Sequence, residues 1–135
     1  MTIETKETKD VSQAEIIEIY KANGWSSAEK PDLLFKALIN SHSFVTAWHN
    51  GKLVGLGNAL SDGFLVVYYP HLIVHPAYHG KGIGKQILNR FQEKYGDFHQ
   101  QILVADGKAV NFYEKCGFER AGETKSMWIY KGQDC

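Results

Sequence analysis

Cysteine is nearly missing from these 135 residues: only Cys116 and Cys135 occur, with no metal-type spacing between them. A disulfide framework is excluded, and reduced thiols in a cytoplasmic protein are expected. Neither sign of charge is in excess, with 15 Lys+Arg against 15 Asp+Glu. No global field therefore draws the chain to nucleic acid or to an anionic membrane. No apolar run approaches the roughly 18 residues of a membrane span, and the N-terminal residues lack the apolar core of a signal peptide. Proline occurs three times, at Pro31, Pro70 and Pro76, so each one is informative. Repeats, low-complexity tracts and linkers are absent.

What is present is a globular composition, 44% hydrophobic and 13% aromatic. The length suits one domain, residues 1–135. Ser12 and Glu15 form a capping box, Val11 and Ile16 a hydrophobic staple, and Gly24 stops the helix between them. A second helix starts near Pro31 and should bury Leu34, Phe35, Leu38 and Ile39. Asn50-Gly51 and Asp62-Gly63 are hairpin turns. Residues 64–74 read as a central strand, apolar on both faces. Pro70 interrupts it, has no N–H for a ladder, and should mark a bulge. Ile83, Ile87, Leu88, Phe91 and Tyr95 keep helical spacing up to Gly96. Residues 101–105 read as a strand, Asp106 as the N-cap of a further helix, and residues 127–130 as a strand that closes the sheet. With an N-terminal strand at Thr2–Thr5, the fold class is α/β, a mixed sheet with helices on both faces.

The densest signal lies in Leu72-Ile73-Val74-His75-Pro76-Ala77-Tyr78-His79-Gly80-Lys81-Gly82-Ile83-Gly84-Lys85. An apolar strand enters a turn with alternate glycines, and a helix follows at once. Glycine lets a backbone approach a ligand closely, and a helix N-terminus leaves N–H groups unpaired. With Lys81 and Lys85 added, this is a cradle for phosphate. A P-loop is excluded, because the spacing is one residue short and Gln86 replaces the hydroxyl residue. The dinucleotide fingerprint is excluded as well, since the pattern is G-x-G-x-G.

The spacing that fits is V-x-P-x-[YF]-[QR]-x-x-G-x-[GA], carried by Val74, Pro76, Tyr78, Gly82 and Gly84, with His79 where Gln or Arg is usual. Downstream, residues 111–118 match a Y-E-x-x-G-F helix. On these two motifs the chain resembles the GNAT superfamily of N-acetyltransferases over roughly residues 10 to 130. That resemblance implies a mostly antiparallel sheet with a splayed central strand pair, and acetyl-CoA as the acetyl donor. It assigns cofactor contacts to Leu72, Ile73, Val74, His79, Gly80, Lys81, Gly82, Ile83, Gly84 and Lys85, with Asp106 as a further candidate. The implied partner is a small-molecule amine acceptor, bound by a monomer or homodimer.

Transfer from a thioester releases a thiolate of pKa about 8.5, and a tyrosine near 10 is a suitable donor to it. Tyr113 stands where family members carry such an acid; it also reads as a core aromatic. The acceptor must lose a proton, since an amine of pKa about 10 is roughly 0.1% neutral at pH 7. The carboxylate often found before the Leu-x-Val segment is replaced by Pro70-His71. His71 reads either as the base or as a satisfied strand histidine. His71, His75 and His79 share helical spacing, but the prolines exclude a helix, so no metal site is expected. Trp25, Tyr68 and Tyr69 could line an aromatic acceptor pocket, while core packing is the plainer use of each. An N-acetyltransferase is expected; the alternative is a CoA-binding regulatory module without chemistry.

Overall fold

Ser12 decides where the first helix begins. In the computed structural model, which describes residues 1–132, Ser12 Oγ accepts the N–H of Glu15 at 3.2 Å. The Glu15 carboxylate accepts the Ser12 N–H at 3.4 Å in return. Helix α1 (Gln13–Ala22) follows and ends before Gly24, whose φ is +71°. After a 3-10 turn, α2 (Pro31–Ile39) starts on its proline and buries Leu34 and Leu38, with Phe35 half-buried.

The sheet begins with β1 (Glu4–Glu7), two residues later than the sequence suggests. Glu7 fixes that register: its carboxylate accepts from Ser43 Oγ at 2.6 Å and pairs with Lys94 at 2.9 Å. Strands β2 (Ser43–His49) and β3 (Lys52–Ser61) form the first hairpin, joined by Asn50 and Gly51, both at positive φ. The strand expected over residues 64–74 is instead two short ones. β4 (Val66–Tyr68) starts late because Asp62 Oδ1 accepts the N–H groups of Phe64, Leu65 and Val66, holding them in a turn. Phe64 and Leu65 are accordingly exposed rather than central.

β5 (Leu72–Val74) pairs with β3 in a different register from β4. Between the two registers Asn58 and Ala59 oppose Tyr69, Pro70 and His71, which is the bulge expected at the proline. The Tyr69 N–H still bonds to the carbonyl of Ile102 at 3.0 Å. Pro70 has no N–H to offer, and the chain turns away. After a 3-10 turn at Pro76–Tyr78, α3 (Ile83–Tyr95) crosses the sheet and leads to β6 (Gln100–Ile102), parallel to β4. β6 is shorter than expected, because beyond Ile102 its neighbour has departed. The strand order β1-β2-β3-β4-β6, with β5 on β3 alone, is the expected mixed sheet, splayed between β5 and the residues after β6.

Helices cover both faces. Ile16, Tyr20, Leu34, Leu38, Leu56 and Ile73 form the core under α1 and α2. Val54, Val67, Ile83, Ile87, Phe91 and Tyr95 form the core under α3. The last helix, α4 (Val110–Lys115), packs Tyr113 and Cys116 onto that second core. Two expectations are corrected here. Asp106 does not cap α4: its carbonyl closes a turn onto the Ala109 N–H at 2.7 Å, and the helix starts four residues later with no side-chain cap. Residues 127–130 form no strand, and Met127 and Ile129 are 92% and 94% exposed.

Gly57 sits where α3 presses closest on β3. A Cβ there would lie 3.0 Å from both Ile87 Cγ2 and Phe91 Cε2. Gly57→Val should lower unfolding free energy by about 1–3 kcal/mol, the cost of overpacking a core. Urea titration checks this; an unchanged midpoint would mean that α3 can move away freely.

Candidate functional site

The bulge leaves one side of β5 open. Hydrogen bonds from Asn58 N–H to the His71 carbonyl and from His75 N–H to the Val54 carbonyl show which positions face β3. In an antiparallel ladder the intervening residues point the other way. Leu72 and Val74 therefore present N–H and C=O groups to the gap. Ile73 gives its own to β3 and its side chain to the core under α1. The Val74 carbonyl is held by two donors, Asn23 Nδ2 at 3.0 Å and His79 Nε2 at 2.8 Å. A carbonyl only accepts, so the His79 proton is on Nε2. His79 is thus a clip between β5 and the glycine loop, and the peptide plane at Val74 is fixed from both sides.

The loop itself turns backbone donors outward. Gly80 and Gly82 have φ of +76° and +79°, and an added Cβ at either would meet nothing within 4 Å, so the loop faces open space. Gly82 caps α3 with no side chain, which leaves the N–H groups of Ile83, Gly84 and Lys85 without intrahelical partners. Lys81 and Lys85 are exposed beside them. Gly84 lies under Phe112, whose Cζ would stand 3.2 Å from a Cβ. The loop and α4 are therefore in contact. An anionic, close-fitting group such as the pyrophosphate of CoA suits these donors.

On the α1 face of the sheet, His71 Nδ1 lies 2.7 Å from the Tyr20 hydroxyl, and Trp25 meets both rings edge-on at 5.3 and 5.6 Å. The His71 N–H donates to Asn58 Oδ1 at 3.1 Å, and Asn58 Nδ2 donates to Ser41. Tyr20 is fully buried, and that burial pushes its pKa far above the usual phenol value. It stands as a neutral phenol.

On the opposite face, Tyr113 packs between Phe112 and Phe118, with ring centroids 5.1 and 5.8 Å away. Burial, with a smaller contribution from Cys116, raises its pKa to about 12. Its hydroxyl has no hydrogen-bond partner among the described residues, so it is available to a ligand. Burial also raises the Cys116 thiol, partly offset by the charge of Lys85, which places that lysine near the end of α4.

The structure brings His71 and Trp25 together, but it does not assemble three aromatics into a pocket. Tyr69 is buried against Phe91, Tyr95 and Phe118, its hydroxyl donating to Gln101 at 2.7 Å. Tyr68, one residue before it, points to the other face and is exposed. Asp106 is exposed, short of α4. His71, His75 and His79 reach Tyr20, Tyr78 and Val74 respectively, three separate directions. Among the described residues, no cluster of three His, Cys, Asp or Glu side chains could hold a metal ion.

Residues 40–120 match the family model described as an acetyltransferase (GNAT) domain. The chain belongs to the GNAT acetyltransferase family. It is 33% identical over 103 residues to an uncharacterized N-acetyltransferase of Gracilaria tenuistipitata var. liui, covering 70% of this chain and 55% of that protein. It is also 33% identical over 82 residues to the chloroplastic GCN5-related N-acetyltransferase 2 of Arabidopsis thaliana, covering 58% of this chain and 32% of that one. The chain thus spans about half or less of the length of these relatives. Among solved structures, a GNAT family protein of Streptococcus pneumoniae TIGR4 superposes with a TM-score of 0.83 at 29% identity, covering 96% of this chain and 99% of that one. A putative acetyltransferase of Deinococcus radiodurans R1 gives 0.82 at 30% identity, with 96% and 88% covered. No helix among the described residues is long and apolar enough to cross a membrane.

Within this GNAT domain, sequence reasoning missed Asn23, Tyr20 and Asn58. Each acts on a partner distant in the chain, Val74 for Asn23 and His71 for Tyr20 and Asn58.

The buried tyrosines carry a pH signature. Tyr20, Tyr69 and Tyr113 all have folded values above the unfolded value of about 10. Their contribution to stability is whole below that pH and is lost as pH rises through the folded values. Denaturant midpoints should hold level up to about pH 10 and fall above it. Tyr20→Phe should reduce the slope of that fall, and midpoints that rise with pH would contradict the reading.

Proposed function

We propose that this GNAT domain transfers the acetyl group of acetyl-CoA to a small primary amine, directly and in a ternary complex. The observation that carries the reading is the outward-facing edge of β5, with Leu72 beside Gly84 at the uncapped N-terminus of α3. Bound there, acetyl-CoA supplies an activated acetyl thioester. The N–H groups of the loop at Gly80, Lys81, Gly82 and Ile83, with those of Gly84 and Lys85, hold its pyrophosphate, and the two lysines add charge. The N–H groups of Leu72 and Val74 bind the pantetheine arm and polarise the acetyl carbonyl. His79 serves by keeping the Val74 peptide in place.

The acceptor amine enters from the α1 face, where Trp25 and His71 wait and Tyr68 lies on the same side. The rings of Trp25 and Tyr68 favour an aryl or hydrophobic amine. His71 accepts the amine proton, with Tyr20 and Asn58 holding its ring and backbone. Tyr113 acts from the other face on the departing sulfur. At about 12 its phenol holds its proton more firmly than a free thiol does. The hydroxyl therefore works as a hydrogen-bond donor to charge growing on sulfur. Two cysteines without metal-type spacing fit a cytoplasmic setting.

Thiol release from acetyl-CoA over a panel of amines tests the proposal as a whole. Tryptamine-like and phenethylamine-like amines should show higher kcat/KM than polyamines, and no turnover with any amine would favour a CoA-binding module instead. Tyr113→Phe should keep the fold and CoA affinity and lower kcat about 10²-fold. Because the phenol titrates near 12, the wild-type profile should show no descending limb from this group between about pH 7 and 10. Near-normal kcat in the variant would make Tyr113 a packing residue.

Gly82→Val should raise the CoA dissociation constant at least about tenfold, or 1.4 kcal/mol. The substitution forces a branched side chain into a φ of +79° and into the space that the ligand needs. Calorimetric titration of a folded variant with unchanged affinity would remove the loop from the binding site.

A further inference from the structure

Helices α1 and α2 both end on an asparagine, and the two caps are nearly the same. Asn23 has φ −92° and ψ −5°, and Asn40 has φ −99° and ψ 5°. In each, the backbone N–H and the side-chain amide both reach the carbonyl four residues back, Ile19 for Asn23 and Lys36 for Asn40. Those bonds suffice to close a helix end. Asn23 goes further. An amide Nδ2 carries two hydrogens, and the second reaches the Val74 carbonyl on β5 at 3.0 Å. Nothing in helix capping requires that contact, which joins residues 51 positions apart.

Asn23 also begins the turn that delivers Trp25. The Gly24 N–H bonds to the Lys21 carbonyl at 3.0 Å and the Trp25 N–H to the Tyr20 carbonyl at 3.1 Å, with Gly24 at a φ of +71°. The chain thereby folds back over the end of its own helix, and Trp25 comes to lie edge-on to Tyr20 and His71. The end of α1 therefore grips β5 at two points, Tyr20 on His71 at 2.7 Å and Asn23 on Val74. A carbonyl has two lone pairs, and on Val74 His79 takes the other. One carbonyl is thus shared by the turn that carries Trp25 and the loop ahead of α3.

We propose that Asn23 is a positioning residue, which locks the Trp25 turn to the edge of β5 so that CoA and the amine bind cooperatively. The inference rests on the acetyl-transfer reading and adds to it a residue and a coupling. A ligand on the Val74 N–H fixes the backbone of that residue. The adjoining carbonyl then meets Asn23 at a set angle, and the turn behind Asn23 holds Trp25 over His71. The same contacts act in reverse, since an amine seated against Trp25 and His71 steadies Val74 for the cofactor. Coupling between two binding sites is reciprocal by necessity.

Calorimetry with CoA and tryptamine, which form a complex without reacting, tests it. In the wild type, saturating CoA should lower the tryptamine dissociation constant about fivefold or more, and saturating tryptamine should lower that of CoA by the same factor. Asn23→Ala should bring both factors close to one and, in turnover, raise the KM of the amine more than it lowers kcat. Asn23→Asp keeps the shape and loses the donor, and should behave alike. Asn40→Ala removes the matching cap of α2 and should keep the wild-type coupling, which separates the Val74 contact from helix stability. Ligands that bind the wild type independently would overturn the coupling alone. So would an Asn23→Asp protein that stays cooperative, or an Asn40→Ala protein that loses cooperativity to the same extent. A protein that binds no CoA would overturn the acetyl-transfer reading as well.

Discussion

Pro70 has no N–H, and the architecture of the site follows from that missing donor. Up to Tyr69 the strand pairs with β3 on one side and β6 on the other. At Pro70 the second ladder cannot continue, one extra residue is taken up, and the chain leaves with β3 as its sole neighbour. Two strand edges that would have bonded to each other are left facing across a gap. Backbone groups that cannot be paired inside the protein are costly unless solvent or a ligand takes them. The gap is therefore a place where an extended, polar, hydrogen-bonding molecule is stabilised by groups the fold has left over.

The bulge does a second thing. By inserting one residue it reverses which face each side chain meets. Tyr69 goes into the core under α3, while His71 goes to the opposite face, against Tyr20 and Trp25. The two ends of the proposed reaction thus approach from opposite sides of one sheet. Tyr113 lies with α4 on the side proposed for the departing sulfur, and His71 lies with α1 on the side proposed for the acceptor. The gap between them is the common route.

Support for the gap comes from groups that are individually modest. Asn23 and His79 hold one carbonyl, Asn58 holds one N–H, and Gly57 lets α3 sit close to the sheet. None of these is a chemical group in the reaction. Each fixes a peptide plane or an element whose position the open edge needs, and a displacement of about 1 Å in such a site is costly to catalysis.

Sequence alone determined the local punctuation: the capping box at Ser12, the proline start of α2, the bulge at Pro70, and the glycine loop running into α3. Each rests on a conformational rule that acts within a few residues, so neighbours in the chain suffice to read it. The family motif around Val74 and Gly82 was legible for the same reason. Tertiary structure decided the rest. The Tyr20–His71 and Asn23–Val74 contacts join residues 51 positions apart, and no local rule pairs them. Tyr69 was read with Tyr68 as pocket lining, but a strand sends adjacent side chains to opposite faces, and only the packing of α3 says which face is core. Asp106 was read as a cap because its type suits one, yet the turn it closes moved the helix start beyond its reach. Residues 127–130 were read as the closing strand from their apolar pattern. A pattern names a strand, but its partner edge is set by where the folded chain delivers it.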